Sequence, residues 1–498
     1  MISTPLDALM AQAQARPRSA AFVFHEEAWT YERILRESET VARGMAARGV
    51  RPGDRVVLHM VNRPEFVIAY YACFHLGAIA APLGPALKFA ELAPLLQRLR
   101  PALYIGETQT YDNVAAADEV ILRRDKRFIV GATPADDDGL PWESLFDGAS
   151  NDRPPASCAV DEAAVLISTS GTTGEPKFVV HTPTTLGASV DQLITNWEIA
   201  GDDVVTMPLP LAHMGGLISL LCYVQLGAVF VLLESFDADE VLDTIERHQC
   251  TWHLGFPAQY AALLDRQRAQ PRSLERLRCC LTVGDACPVE LQEQVTSEFG
   301  AALYNVWAAT EAVGNLSFGL RPGCVTRIGQ NTQIRLVDEH GEDVADGKVG
   351  ELLLHGANLF AGYWNDRQAT AESMRGGWYH TGDLMQRGAN GELLFVGRKK
   401  DIIIRGGTNI SPVEVEQALV VSHPAVEEAA VVGYRTPCSV NASWVSSNLQ
   451  MERERRSFQT SSANSRRGSR RTRFPSVSSC STNCRAMRSA RSIGRRCR

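Results

Sequence analysis

The sequence predicts an α/β protein whose large N-terminal domain contains layered, mostly parallel sheets. Short β-branched runs alternate with helical patterns through residues 1–433, as where Arg55–His59 (RVVLH) precedes the helical pattern of Arg63–Leu76. From about Ile328 onward, shorter strands separated by turns predict an antiparallel or barrel-like subdomain. A chain of 498 residues is long enough for this composite domain and for a smaller one.

The composition is that of an ordinary globular protein. Apolar residues make up 45% and charged residues 21%, which excludes a mostly disordered chain. A net charge of −7 does not indicate a polyanion-binding protein, so we expect no nucleic-acid partner. The 12 cysteines show no metal-ligand spacing and are expected to be reduced and mostly buried.

The hydropathy pattern predicts no membrane span. The most apolar stretch, Leu217–Leu233, is interrupted by Ser219, Gln225 and Gly227 and predicts a buried helix followed by a strand. The N-terminus lacks the basic segment and apolar run of a signal peptide. We therefore expect a cytoplasmic protein.

Charge is distributed unevenly along the chain. Residues 434–498 contain 15 Arg, no Lys and two acidic residues, so they carry +13 while residues 1–433 carry −20. The same segment holds 15 Ser and four of the 12 Cys. This composition predicts an Arg/Ser-rich, disordered tail that is foreign to the α/β body.

Residues Leu166–Lys177 (LISTSGTTGEPK) are typical of a loop that holds a phosphate. Two glycines allow the backbone to turn tightly and present N–H groups to an anion, five hydroxyls add donors, and Lys177 adds a positive charge. The spacing is not that of a Walker motif, which disfavours a P-loop NTPase. A flexible surface loop is the alternative, although few such loops combine this hydroxyl density with a closing Gly-x-Pro-Lys.

This segment resembles the phosphate-loop signature of the adenylate-forming superfamily, which includes acyl- and aryl-CoA synthetases, luciferases and peptide-synthetase adenylation domains. The resemblance continues in order from about residue 20 to residue 433, which makes coincidence a poor explanation. Further segments similar to family signatures are Pro208–Gly216 (PLPLAHMGG), Val283–Pro288 (VGDACP), Trp307–Glu311 (WAATE), Tyr379–Leu384 (YHTGDL) and Gly397–Glu416 (GRKKDIIIRGGTNISPVEVE).

The resemblance implies a role for each matching residue. The catalytic residues would be Lys177, Thr310, Glu311 and Lys400, with Glu311 near Mg²⁺ and Lys400 as the hinge. The nucleotide would contact Thr169, Ser170, Gly171, Thr172, Thr173, Gly174, Gly284, Asp285, Ala286, Trp307, Thr310, Asp383 and Arg398. The acid would lie against His213, Met214, Gly215, Ala309 and Gly314.

Taken alone, each of these residues has an ordinary structural explanation. Glu311 would be a solvated carboxylate and Asp383 would end a turn, so only the joint order of the motifs favours the functional interpretation. The chain also departs from the family pattern. Trp307 and Ala308 replace the usual Tyr and Gly, and Asp285 replaces a usual Gly, so we expect altered nucleotide contacts but not their loss.

The resemblance implies an ATP-dependent carboxylic acid–CoA ligase that uses ATP, Mg²⁺ and coenzyme A. The acid would attack the α-phosphate of ATP, and a thiol would then attack the acyl-adenylate, with catalysis by positioning and charge neutralisation. Transfer to a carrier protein is an alternative acceptor, and a catalytically impaired remnant that still binds nucleotide or acyl ligand is an alternative function. The resemblance does not distinguish a fatty acid from an aromatic acid as the substrate.

The same resemblance divides the chain into three segments. Residues 1–397 would form the adenylate-forming domain, residues 398–433 would begin a small α+β C-terminal domain after the hinge, and residues 434–498 would be the aberrant tail. The family's small domain ends near a Pro-Arg-x-x-x-Gly-Lys motif that carries an adenylation lysine. No Lys follows Lys400 in this chain, so the truncated domain lacks that residue.

A shifted reading frame explains the tail. Suitable codons for Cys484–Arg498 (CRAMRSARSIGRRCR), read one nucleotide earlier, can spell LPRNAVGKIDRKTLR, which resembles the missing family motif. We hypothesise a frameshift near Gly433–Thr436, either real or a sequencing error, and resequencing tests it. A tail that binds nucleic acid or acidic lipid is the alternative, and it leaves the alternate-frame match unexplained.

Overall fold

The computed structural model describes most of the α/β body. The described residues are 3–115, 122–131, 139–147, 159–169, 176–197, 199–284, 287–313, 316–317, 324–325, 327–328, 332–389, 391, 393–405, 408–412, 415–416, 419, 428–436 and 439–448. The chain divides into two compact units, Met1–Phe395 and Val396–Arg498. Each unit is described by itself below.

The α-helices of the described residues lie mainly between successive strands. They are α1 (Pro5–Ala15), α2 (Tyr31–Ala47), α3 (Pro64–Leu76), α4 (Phe89–Leu99), α5 (Thr108–Ala115), α6 (Pro183–Trp197), α7 (Met214–Leu226), α8 (Ala238–His248), α9 (Pro257–Ala269), α10 (Val289–Phe299) and α11 (Arg367–Ser373).

The strands fall into an earlier and a later group. The earlier strands are β1 (Ala20–Phe24), β2 (Glu27–Thr30), β3 (Arg55–His59), β4 (Ile79–Pro82), β5 (Leu103–Glu107), β6 (Arg127–Val130), β7 (Leu140–Pro141), β8 (Val165–Thr169), β9 (Lys177–His181), β10 (Val204–Met207), β11 (Val229–Leu232), β12 (Trp252–Gly255), β13 (Cys279–Val283) and β14 (Ala302–Val306). The later strands are β15 (Leu316–Ser317), β16 (Cys324–Val325), β17 (Arg327–Ile328), β18 (Gln333–Val337), β19 (Val349–His355), β20 (Gly362–Tyr363), β21 (Met374–Arg375), β22 (Trp378–Arg387), β23 (Leu393–Arg398), β24 (Ile403–Arg405), β25 (Thr408–Ile410), β26 (Glu428–Thr436) and β27 (Ser439–Asn448).

Two mainly parallel sheets form the first unit, which confirms the predicted α/β class. One sheet has the order β14-β13-β12-β10-β11-β1-β2, in which only β2 pairs antiparallel. The other has the order β20-β9-β8-β4-β3-β5-β6-β7, in which β9 and β20 pair antiparallel. Strand–helix alternation produces this arrangement because parallel neighbours need a crossover connection.

A third, antiparallel sheet occupies the region for which turns and short strands predicted a barrel-like subdomain. Its strand order is β16-β23-β22-β19-β18, and β21 pairs with β22. Strand β23 crosses the division between the two units, and the predicted domain boundary after Gly397 lies within the same strand. In the second unit, β26 and β27 pair antiparallel, so strand structure continues past residue 433 to Asn448.

The core of the first unit contains two helices, α3 and α7, that are apolar on nearly every side. A helix that is hydrophobic all round has to be buried in a core or a membrane. Here α7 ends at Gly227, whose φ of 74° is left-handed, and β11 follows at Val229. The prediction of a buried helix followed by a strand for Leu217–Leu233 is therefore confirmed. Among the described residues, no helix has both the length and the apolar character that a membrane span requires.

Candidate active site

The predicted phosphate loop connects two paired strands. Thr169 at the end of β8 pairs with Lys177 at the start of β9, so the two described ends of the predicted loop are neighbours. Eight predicted site residues lie outside the described residues: Ser170, Gly171, Thr172, Thr173, Gly174, Asp285, Ala286 and Gly314.

A single tyrosine connects two of the predicted catalytic residues. The Tyr363 hydroxyl donates to Glu311 Oε1 at 2.8 Å, and Lys177 Nζ lies 4.9 Å from the centroid of the Tyr363 ring. A cation at this distance is attracted by the negative face of the ring. Burial and the neighbouring Glu311 charge raise the pKa of Tyr363, so the phenol stays protonated and acts as the donor.

The backbone of the Thr310–Glu311 pair is anchored on both sides. His181 Nε2 lies 2.8 Å from the Thr310 carbonyl, and the Phe360 N–H donates to the Glu311 carbonyl at 2.9 Å. A carbonyl only accepts, so Nε2 of His181 carries the proton and Nδ1 accepts from Thr185 Oγ1 at 3.1 Å. Complete burial lowers the pKa of His181 to about 4, which keeps the ring neutral.

Trp307 and Asp383 form a direct pair. The indole Nε1–H donates to Asp383 Oδ2 at 2.7 Å, and Asp383 is only 6% exposed. The replacement of the usual Tyr by Trp307 predicted altered nucleotide contacts, and in the structure the one polar atom of Trp307 orients the Asp383 carboxylate. Nothing in the local sequence links these residues, because they lie in β22 and after β14, on different sheets.

An apolar cavity of about 330 Å³ opens where four neighbouring parallel strands end. Ligands in open α/β sheets bind in such crevices at the carboxyl ends of strands. Of the predicted residues, the cavity brings together His213, Met214, Gly215, Gly284, Ala309 and Thr310. Missed by sequence reasoning were Leu193, Trp197, Leu209, Pro210, Gly216, Ile218, Ser219, Leu254, Phe256, Val283, Val306, Ala308 and Val313.

The only titratable side chain among the described lining residues is His213. It precedes the first residue of α7 and keeps a solvent-exposed face, while the atoms around it desolvate the imidazole and lower its pKa. No Lys, Arg, Asp or Glu belongs to the described lining. Gly284 has a left-handed φ of 89°, and a Cβ there would lie 3.1 Å from the Phe256 ring.

Contacts outside the cavity hold its aromatic wall in place. Trp197 stacks on Trp252 with ring centroids 6.4 Å apart and planes 11° apart, and the Arg278 guanidinium lies 4.8 Å from the Trp252 ring centroid. Arg278 in turn pairs with the buried Asp203 carboxylate. This chain of contacts fixes the Trp197 ring that faces the cavity.

A buried asparagine holds the loop that forms another wall. Asn62 Nδ2 donates to the carbonyls of Leu209 and Leu233 at 2.9 and 3.0 Å, and its Oδ1 accepts from the Leu211 N–H at 2.7 Å. The side chain is 3% exposed. Asn62 therefore ties the end of β3 to the loop after β10, a link that local sequence patterns do not contain.

The two remaining predicted residues belong to the second unit. Arg398 is the last residue of β23, and Lys400 lies in the turn that follows; both are exposed. Their predicted roles, ribose contact and hinge, stay predictions.

The residues near Glu311 suit a magnesium ion that arrives with a nucleotide. Mg²⁺ usually takes one or two carboxylates together with phosphate oxygens and water. Tyr363 bonds Oε1 of Glu311, which leaves the carboxylate further acceptor positions. Among the described residues no cluster of three or more His, Cys, Asp or Glu forms a separate metal site.

Fold and site together define an adenylate-forming type of enzyme. An anthranilate–CoA ligase in complex with anthranoyl-AMP has the same fold, with a TM-score of 0.83 at 24% identity over 91% of this chain and 88% of that one. The o-succinylbenzoate–CoA synthetase of Bacillus subtilis, solved with ATP and a magnesium ion, has a TM-score of 0.77 at 28% identity over 88% and 89% of the two chains.

The chain belongs to the AMP-binding enzyme family. The profile of that family, described as AMP-binding enzyme, matches residues 9–364. A feruloyl-CoA synthase from an Amycolatopsis species is 31% identical over 434 residues, which are 86% of this chain and 84% of the relative. The predicted family resemblance is thereby confirmed.

Proposed function

We propose that this protein is an acid–CoA ligase that acts through an acyl-adenylate. Its substrate is an aromatic carboxylic acid with no charged group other than the reacting carboxylate. The acid carboxylate attacks the α-phosphate of ATP and pyrophosphate leaves; the CoA thiol then attacks the acyl carbon and AMP leaves. One observation carries the proposal. Thr310 lines the apolar cavity, while the adjacent Glu311 is bonded to the tyrosine that also contacts Lys177.

The polar end of the site would bind and neutralise the triphosphate. Lys177 and the predicted phosphate loop would contact the phosphates, and Glu311 would hold Mg²⁺, which supplies charge neutralisation for the leaving pyrophosphate. Asp383, oriented by Trp307, would accept from the ribose hydroxyls. The support is the convergence of these side chains, and the solved relative that contains ATP and a magnesium ion.

The apolar end supports an aromatic acid. A volume of about 330 Å³ is at the small end of ligand pockets, and the Trp197 and Phe256 rings offer flat faces. A second carboxylate or an amine in the substrate would lack a charged partner among the described lining residues, and burying an unpaired charge is costly. The cavity therefore favours a neutral, flat body with one carboxylate.

ATP–pyrophosphate exchange with benzoate, ferulate, octanoate and malonate tests this proposal. We expect exchange with the two aromatic acids, less with octanoate and none with malonate. Exchange that depends on malonate, or that prefers octanoate, would contradict the proposed substrate class. Formation of the CoA thioester, measured with the same acids, tests the second half-reaction separately.

A second candidate, an impaired enzyme that still binds nucleotide or acid, is favoured by one observation: no Lys follows Lys400 in the sequence. An acid–CoA ligase of the predicted type uses a lysine from its small domain for adenylation. We therefore expect pyrophosphate release to be much slower for this chain than for a variant whose residues 434–498 are replaced by the alternate-frame sequence. Equal rates would exclude the impaired-enzyme candidate.

A further inference from the structure

Tyr363 contacts both charged groups of the polar end through different parts of one side chain. Its hydroxyl donates to Glu311 Oε1 at 2.8 Å, while its ring lies 4.9 Å from Lys177 Nζ. Sequence reasoning assigned Tyr363 no role. Its place between the two residues with opposite charges indicates a function for the ring and the hydroxyl together.

The backbone around Tyr363 is held in place before any ligand binds. Strand β20 pairs with β9, so that Tyr363 lies opposite Val179, two residues along the strand from Lys177. The Tyr363 N–H donates to Thr370 Oγ1 at 2.8 Å, and the next N–H, that of Trp364, donates to the Phe178 carbonyl at 2.9 Å. The phenol is therefore presented from a paired strand whose backbone is hydrogen-bonded on both sides.

The two contacts of Tyr363 have different chemical consequences. A hydrogen bond to one oxygen of Glu311 orients the carboxylate and leaves its negative charge intact, so the group keeps its affinity for a cation. A ring face holds the Lys177 ammonium without neutralising it. A direct Lys177–Glu311 ion pair would instead cancel both charges and leave neither for metal or phosphate.

We propose that Tyr363 is a positioning residue that orients Glu311 for the magnesium ion through its hydroxyl and Lys177 for the phosphates through its ring. This inference rests on the proposed function, in which Glu311 binds the metal and Lys177 binds the triphosphate. The hydroxyl and the ring are separable by mutation. Tyr363→Phe removes the hydroxyl, and with it the hydrogen bond to Glu311 and the hydrogen bond with Ser373, and Tyr363→Leu removes the ring as well.

The test measures binding by the full-length chain and needs no turnover. Binding of Mn²⁺ in the presence of α,β-methylene-ATP is followed by electron paramagnetic resonance, and nucleotide affinity is measured separately in EDTA. We expect Tyr363→Phe to weaken Mn²⁺ binding about tenfold, the loss of one charge-assisted hydrogen bond, with unchanged affinity in EDTA. Tyr363→Leu should weaken both.

Tyr104→Phe is the matched control, because the Tyr104 hydroxyl is bonded to buried His59 Nδ1 at 2.9 Å and lies in the core of the same sheet. It should leave Mn²⁺ and nucleotide binding at wild-type values, and thermal melting verifies that all three variants fold. If Tyr363→Phe binds Mn²⁺ as tightly as the wild-type chain does, the inference about Tyr363 is wrong and the proposed function is unaffected. Failure of the wild-type chain to bind the Mn²⁺–nucleotide complex would overturn the proposed function and the inference with it.

Discussion

The two ends of the candidate site are held together by different forces. The polar end joins β9, β20 and the turn after β14 through individual hydrogen bonds, such as His181 to the Thr310 carbonyl and Tyr363 to Glu311. The apolar end is built by packing of α6, α7 and the strand ends around a cavity. Hydrogen bonds depend on single atoms, whereas packing depends on volume, so the two ends should respond differently to mutation.

The largest expected effect is on the polar end. Glu311→Gln keeps an acceptor for Tyr363 but removes the negative charge, and we expect pyrophosphate exchange to fall by about two to three orders of magnitude. The KM for the acid should stay within about twofold, because the cavity is lined by other residues. Steady-state exchange at varied Mg²⁺ and acid concentrations checks both values. A raised acid KM with normal maximal rate would show that the two ends are not separate.

The next effect concerns a hydrogen-bonded clamp of the apolar end. Asn62→Leu leaves the Leu209 and Leu233 carbonyls and the Leu211 N–H without their buried partner. We expect the free energy of unfolding to fall by about 3 kcal/mol, since buried unsatisfied groups are costly. Urea denaturation measures the loss. If Asn62→Leu is as stable as wild type, packing and the remaining hydrogen bond from Tyr70 to the Leu211 carbonyl are sufficient to hold this wall.

A smaller effect is expected from the aromatic wall. Trp197→Ala enlarges the cavity and removes the face that stacks on Trp252. We expect the KM for an aromatic acid to rise about 10- to 100-fold while ATP affinity is unchanged. Trp142→Phe, at a buried position packed against Phe146 and not among the cavity residues, is the control. If the KM for the acid and the affinity for ATP change by equal factors, the apolar and polar ends of the site do not act independently.

The smallest effect is a pH dependence that arises from two buried histidines, His181 at the polar end and His253 in β12 beside the cavity residue Leu254. Burial lowers the pKa of His181 to about 4 and that of His253 to about 3, from an ordinary value of 6.5. Below pH 6.5 the unfolded chain takes up protons that the folded chain refuses, so stability falls as pH decreases toward about 4. We expect a loss on the order of 1 kcal/mol per histidine at about pH 5.5.

Single substitutions measure how much of the stability lost at low pH comes from each histidine. His181→Gln and His253→Gln should each lower the neutral-pH stability but reduce the difference between urea midpoints measured at neutral pH and at about pH 5.5. An unchanged difference in both variants would show that other groups control acid stability.

Local patterns in the sequence were sufficient to predict the fold class, and the family resemblance implied the candidate site residues. Strand–helix alternation predicted the parallel sheets, and the interruptions in Leu217–Leu233 predicted a helix that ends before a strand. The motif residues His213, Met214, Gly215, Ala309 and Thr310 do share one cavity. The two structural predictions succeeded because hydrophobic periodicity and turn residues act over a few neighbouring positions. The roles of the motif residues, which the family resemblance implied, stay predictions.

The supporting residues were not predictable in this way. Trp197, Asn62, His181 and Tyr363 lie outside the recognised motifs, and each acts on a partner far along the chain. For Trp307 the sequence indicated altered nucleotide contacts, whereas its bond to Asp383 joins two residues that are 76 positions apart in the chain. No single-sequence signal encodes such a distance.

The sequence by itself determined the order of strands and helices and which residues belong to the family motifs. It also determined the change of composition after residue 433. Only the tertiary structure decided which side chains meet. Tyr363 donates a hydrogen bond to Glu311 and its ring contacts Lys177, while uncharged aromatic side chains line the apolar end of the site. The physical reason is range. Propensity and periodicity operate within one element, whereas a hydrogen bond or a cavity wall requires that distant elements be packed in register.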